Sequence, residues 1–116
     1  MHFCANVVTG REGKAGAVLL RGIEPLTGLE TIRKLRGFAD DKNDKNLTNG
    51  PAKFCEAFGI KRDQNGTDLL GDEIYILDAP SPAPCEIAKT KRIGITNGRD
   101  KMWRFFLKGN NWISRK

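Results

Sequence analysis

Residues 17–25, AVLLRGIEP, limit the fold more than any other stretch of this chain. Ala17 to Leu20 are four apolar residues without a polar member, a run that suits either a buried strand or a buried helix. The flanks favour the strand. Gly13 and Gly16 precede it, and Gly22 and Pro25 follow within a few residues. Arg21 then falls at the end of a buried strand, where an isolated guanidinium is costly. Two uses are open to it: a reach to solvent or a pair with Glu24, or a place on the wall of a ligand pocket.

With 116 residues the chain is long enough for one domain, 1–116, with a modest core. Its 39% hydrophobic and 29% charged content is that of an ordinary globular protein and excludes a disordered one. No apolar run reaches bilayer length and no signal-peptide pattern opens the sequence, so a location in the cytoplasm, or in a nucleic-acid-containing compartment such as a nucleoid, is expected. Cys4, Cys55 and Cys85 form no CxxC pair, and His2 lies at no metal-ligand spacing from them. Free thiols are expected, with no metal and no cofactor. The formal net charge of +6 favours a polyanionic partner. Its basic residues gather at Arg33, Lys34 and Arg36, at Lys89, Lys91 and Arg92, and at Arg99, Lys101 and Arg104.

Taken in order, residues 3–8 predict a strand that alternates Phe3, Ala5 and Val7 against Cys4, Asn6 and Val8. Pairing it with residues 17–21 puts Asn6 and Arg21 on adjacent strands. The alternative for Asn6 is an edge position with its amide in water. Thr27 and Glu30 have capping-box spacing, opening a helix with Leu29, Ile32 and Leu35 on one face that ends near Gly37. Residues 39–49 suggest a surface loop. Pro51 starts a second helix, with Phe54, Ala57 and Phe58 as its stripe and Gly59 as its stop. Backbone amides at its start, beside Lys53, could take a phosphate. Further strands are expected at 73–77, 91–96, 102–107 and 112–114, after a turn-rich link over 63–72 and around a proline loop at 79–84.

Assembled, these segments resemble the alkyladenine (3-methyladenine) DNA glycosylase family. The carriers are HFCANVV (2–8), AVLLRGIEPLTGLETIRKLRG (17–37), LTNGPAKFCEAFGI (47–60), DLLGDEIYIL (68–77), KRIGI (91–95) and WRFFLKGNNWIS (103–114). The resemblance implies an α+β fold, a single mixed domain with a curved antiparallel sheet and peripheral helices. It implies base excision repair of double-stranded DNA by flipping out alkylated or deaminated purines and hydrolysing the N-glycosidic bond. Arg21 matches the arginine that holds the attacking water, and Ile93 the residue whose carbonyl contacts that water. Asn6 matches the pocket asparagine that disfavours guanine. Met1 and His2 match positions flanking the intercalating element, and Arg36 an arginine on the DNA side. Apart from the resemblance, Arg33 and Lys53 are expected as further DNA contacts because of their charge.

The resemblance also carries a departure. The family's general-base glutamate and its wedge tyrosine lie upstream of the position that Met1 matches. The chain is therefore expected to represent a C-terminal portion, from a truncated or misassigned reading frame or from a split gene with a separately encoded N-terminal segment. It is expected to be inactive alone and to have an exposed sheet edge, the complete enzyme being a monomer. The second reading is a non-enzymatic DNA-binding remnant that uses Arg33, Arg36, Lys53 and Arg104 on phosphates. A structural or RNA-associated basic protein rests on charge alone.

Overall fold

The structure, a computed structural model, describes residues 2–93, 97, 98 and 100–113. Among these residues the chain runs β1 (Asn6–Val8), β2 (Ala17–Leu19), α1 (Leu29–Arg36), α2 (Pro51–Phe58), β3 (Ile87–Thr90) and β4 (Arg104–Leu107), with short 3-10 turns between. The class is mixed α+β. Antiparallel pairing is divided between two ladders, β1 with β2 and β3 with β4.

Glycine sets both helix ends. Gly37 and Gly59 take left-handed backbone at φ 73° and 64°, and their amides return to the last helical carbonyls. Pro51 occupies the first position of α2, where the missing amide hydrogen is not needed. The start of α1 departs from the capping-box expectation. Gly28 is the cap residue, left-handed at φ 75°, and no side chain caps the helix. Thr27 lies one residue too early to do so.

The core is small and lies between the helices. Ile32 of α1 and Ala57 of α2 meet Leu47, with Leu29, Phe38 and Trp112 packed around them. Leu47 and Thr48 are both 0% exposed. Residues 39–49 are thus a surface loop only in their first part, and their end runs into the interior. Two arginines of α1 hold that end in place. The Arg33 guanidinium donates to both carboxylate oxygens of Asp44, at 2.8 and 2.6 Å. Arg36 donates to the carbonyls of Leu47 and Asn46 at 3.0 and 3.3 Å and to Glu56 of α2 at 3.0 Å. Those planar, forked donors satisfy main-chain oxygens that would otherwise be buried without partners. Leu35 and Phe58, expected on the apolar stripes, stay 49% and 44% exposed, and Cys55 is buried in their stead.

The ladders differ more from expectation. β2 is not buried; all three of its residues are exposed. Residues 73–77 form no strand, and Tyr75, Ile76 and Leu77 are exposed. The partner of β4 is β3 at Ile87–Thr90, before the expected 91–96 segment. Residues 91–93 are outside any strand, 94–96 lie outside the described residues, and 112–113 turn instead of extending, with Ser114 outside the described residues. Pairing with β4 sets the place of β3. Ala88 and Thr90 oppose Phe106 and Arg104 on the inner face, and Ile87 and Lys89 oppose Leu107 and Phe105 on the outer one. IAKT carries no apolar–polar alternation of its own, with Ile87 beside Lys89 on one face and Ala88 beside Thr90 on the other, so the sequence pattern does not mark it as a strand.

Leu47→Ala is expected to destabilise the fold by about 2–5 kcal/mol, and Leu35→Ala by under about 1 kcal/mol, as urea unfolding will show. The Arg33 guanidinium, bonded to Asp44, holds that carboxyl below its ordinary value. The pair therefore stabilises the fold above the ordinary carboxylate range, and its contribution is lost as pH falls through the depressed value. Urea midpoints of wild type and Asp44→Asn should differ at neutral pH and converge in acid. Finally, Val18, Ile76, Leu77, Trp103 and Phe105 are 54–75% exposed, an unusual apolar display that predicts self-association in sedimentation velocity. A single monomeric boundary at all concentrations would contradict that.

Candidate active site

The two ladders and the turns that follow them enclose one cleft of about 910 Å³, a size suited to a small organic ligand. Asn6 enters it from β1, where it pairs with Leu19 of β2. The ladder continues for one more bond, Leu20 N–H to the Ala5 carbonyl at 2.9 Å, and then the chain turns inward. Arg21 follows directly, half-buried, with its Nε out of contact with solvent. Ile93, three residues beyond β3, stands on the same cleft.

What turns the chain inward at Arg21 is a two-way bond to the buried loop end. The Ile23 amide donates to the Thr48 carbonyl at 3.3 Å, and the Thr48 hydroxyl donates to the Ile23 carbonyl at 2.6 Å. Between them Gly22 has no room for a side chain. A Cβ there would stand 2.7 Å from the Trp112 carbonyl oxygen and 3.2 Å from that of Thr48.

Charge and aromatic surface dominate the opposite wall. Arg104, 7% exposed, donates to the Thr90 hydroxyl at 3.3 Å and lies 4.6 Å from the centre of the Phe106 ring. Arg92 and Lys101 stand 5.7 and 5.8 Å from the Trp103 ring, within cation–π range. Glu24 is the one carboxylate among the described residues that line the cleft, and it is exposed. Such a lining, with three arginines and one carboxylate, favours a flat, polarisable ligand attached to an anion. Among the described residues no three His, Cys, Asp or Glu side chains come together as a metal-ligand set.

Of the residues expected at a site, the structure brings Asn6, Arg21 and Ile93 to this one cleft. His2 is exposed and does not line it, and Met1 lies outside the described residues. Arg33, Arg36 and Lys53 are elsewhere, on the helices. Arg33 bonds Asp44, Arg36 bonds the 46–47 carbonyls and Glu56, and the Lys53 ammonium donates to the Asn49 side chain at 3.0 Å. Sequence reasoning missed Gly22 and Thr48 as parts of the site or its frame, and it assigned Arg104 to phosphates in the second reading, not to the wall of this cleft. Gly22 carried a signal as a glycine next to the pocket arginine, but it served equally well as the end of a strand. Thr48 carried none, sitting in a polar run.

The three cysteines are unpaired; Cys4 and Cys85 are exposed, and burial in α2 pushes the Cys55 thiol up from its ordinary range. No helix among the described residues is long and apolar enough to cross a membrane.

Comparison with known proteins gives this cleft its context. The family model for methylpurine-DNA glycosylase matches residues 1–111. A protein of Carboxydothermus hydrogenoformans named "Putative 3-methyladenine DNA glycosylase" is 44% identical over 117 residues, covering 100% of this chain and 60% of the relative. Proteins of the same name from Clostridium acetobutylicum and Methanoculleus marisnigri are 43% and 40% identical, covering 98% and 100% of this chain. The chain spans 59–60% of the length of these three relatives. A match over nearly the whole sequence, at this identity, establishes the relationship: the chain belongs to the methylpurine-DNA glycosylase family.

Proposed function

We propose that this chain forms one side of the pocket of a DNA glycosylase that removes alkylated or deaminated purines from double-stranded DNA, in the cytoplasm or on the bacterial nucleoid. One observation carries the reading: Asn6, Arg21 and Ile93, far apart in sequence, line a single cleft large enough for a purine. A base inside a duplex is out of reach of any enzyme, so the nucleotide must swing out and its base enter a pocket. Asn6 contacts the base edge and disfavours guanine at its exocyclic amino group. Met1 and His2 flank the element that fills the gap left in the stack.

Hydrolysis then proceeds by attack of a water oxygen on the sugar carbon as the N-glycosidic bond breaks. Positive charge builds on the sugar, the purine leaves with the bonding electrons, and the water gives up a proton. Arg21 cannot take that proton, because a guanidinium stays charged. It orients the water and a carboxylate, and the Ile93 carbonyl accepts a hydrogen bond from the same water. The proton acceptor has no counterpart in this sequence at the family's position. Glu24, although on the cleft wall, is exposed and lies outside that position. We read the proton acceptor as a carboxylate within the two fifths of the relatives that these residues do not span, so residues 1–116 tested by themselves should release no base, and the complete enzyme acts as a monomer.

The alternative, a DNA-binding remnant holding phosphates with Arg33, Arg36, Lys53 and Arg104, is weakened by the intramolecular bonds those side chains already make. An incision assay decides between them. Duplexes carrying hypoxanthine or ethenoadenine are incubated with the chain, with and without the two fifths of the Carboxydothermus relative that it does not match, and then cut at abasic sites by alkali. The expected result is excision by the combination and none by the chain alone. Excision by the chain alone would overturn the missing-base reading. A combination that binds duplex DNA in a salt-dependent way, yet releases no base, would favour the remnant.

A further inference from the structure

The geometry points to Thr48 as a positioning residue for Arg21, acting through the main chain of residues 22–23. The inference rests on the reading of Arg21 as the water-holding arginine.

Thr48 is 0% exposed, yet it carries a hydroxyl, and a buried hydroxyl needs a partner to offset its desolvation. Its partner is not a side chain of its own loop but the Ile23 carbonyl, 25 residues earlier, at 2.6 Å. The return bond from the Ile23 amide closes a ring between the two segments. Two bonds in opposite senses fix both the distance and the rotation of residue 23. The Trp112 carbonyl, together with that of Thr48, closes on the Cβ position of Gly22 so tightly that a Cβ there, 2.7 Å from the Trp112 oxygen, would not fit. Trp112 is itself held, its amide accepted by the Asn110 side chain at 2.7 Å and its ring packed on the Ile32–Leu47–Ala57 core. Gly22 is therefore gripped between two anchored segments, and Arg21 is the residue immediately before it. The direction in which the Arg21 side chain leaves the backbone is set by this grip. A serine keeps the hydroxyl and so the ring; a valine keeps the bulk and loses the donor. The amino acid at position 48 thereby decides how long Arg21 stays aimed into the cleft, although Thr48 does not line the cleft itself.

The Nε–Hε signal of Arg21 in 15N NMR reports this directly, since Nε is out of solvent in the folded chain. Thr48→Val, Thr48→Ser and wild type are compared, with Phe54→Leu in α2 as a variant that lowers stability without touching the grip. In Thr48→Val the Arg21 signal should move and its hydrogen exchange rise by about tenfold or more, as expected for loss of a buried hydroxyl–carbonyl bond. Thr48→Ser should restore both, and Phe54→Leu should lower the melting temperature while leaving the Arg21 signal in place. A Thr48→Val chain that melts lower, but keeps the wild-type Arg21 signal and exchange rate, would overturn the proposal and reduce Thr48 to a packing residue. No DNA and no turnover enter the measurement, so failure of the glycosylase reading and failure of the grip are separate results.

Discussion

Leu47 and Thr48 are fully buried at the end of a loop built almost wholly from charged and amide residues, and the two arginines of α1 make this possible. A polar backbone segment cannot enter a core unless its carbonyls find donors. Arg36 supplies them to Asn46 and Leu47, while Arg33 pins the preceding turn through Asp44. Once Leu47 is seated between Ile32 and Ala57, Thr48 is carried to Ile23, and Arg21 is thereby turned toward the cleft. The site thus depends on interactions that never touch a ligand. Arg33 and Arg36, which sequence alone suggests for phosphates, are engaged by the protein's own groups, the carboxylates of Asp44 and Glu56 and the carbonyls of Asn46 and Leu47.

The chemistry of the cleft follows from the same arrangement. An arginine is a poor base and a good orienting group, and its fixed charge is useful only if its direction is fixed too. On the proposed reading, a half-buried position at the mouth of a β-hairpin, held by a neighbouring main-chain grip, meets that need at little entropic cost. Across the cleft, Arg104 and the Trp103 cluster add positive charge and flat apolar surface, the combination that a base on a phosphodiester strand would require.

Much of this was legible in the sequence, for identifiable reasons. Both helix stops came from Gly37 and Gly59, because only glycine enters the left-handed region freely. The convergence of Asn6 and Arg21 followed from pairing two short apolar runs across a glycine-rich connection. Two of the errors, at EIYIL and AVLL, share one cause. EIYIL and AVLL are apolar enough to predict burial, yet hydrophobicity cannot say whether a covering layer is present, and here both runs are exposed. Strand β3 escaped notice because IAKT has no apolar–polar alternation, and its place is set by pairing with β4 opposite. Thr48 was hidden because its environment arises from contacts 25 residues away, which no local window contains.

The central claim is that a single cleft, shared by Asn6, Arg21 and Ile93, receives the damaged base. Titrating the labelled chain with a duplex containing ethenoadenine, and separately with the undamaged duplex, tests it through chemical shifts. The signals of these three residues should move together, along one binding curve, with the damaged duplex only. If they stay fixed while the signals of Arg33, Arg36 and Lys53 move equally for both duplexes, the cleft is not the site and the claim fails.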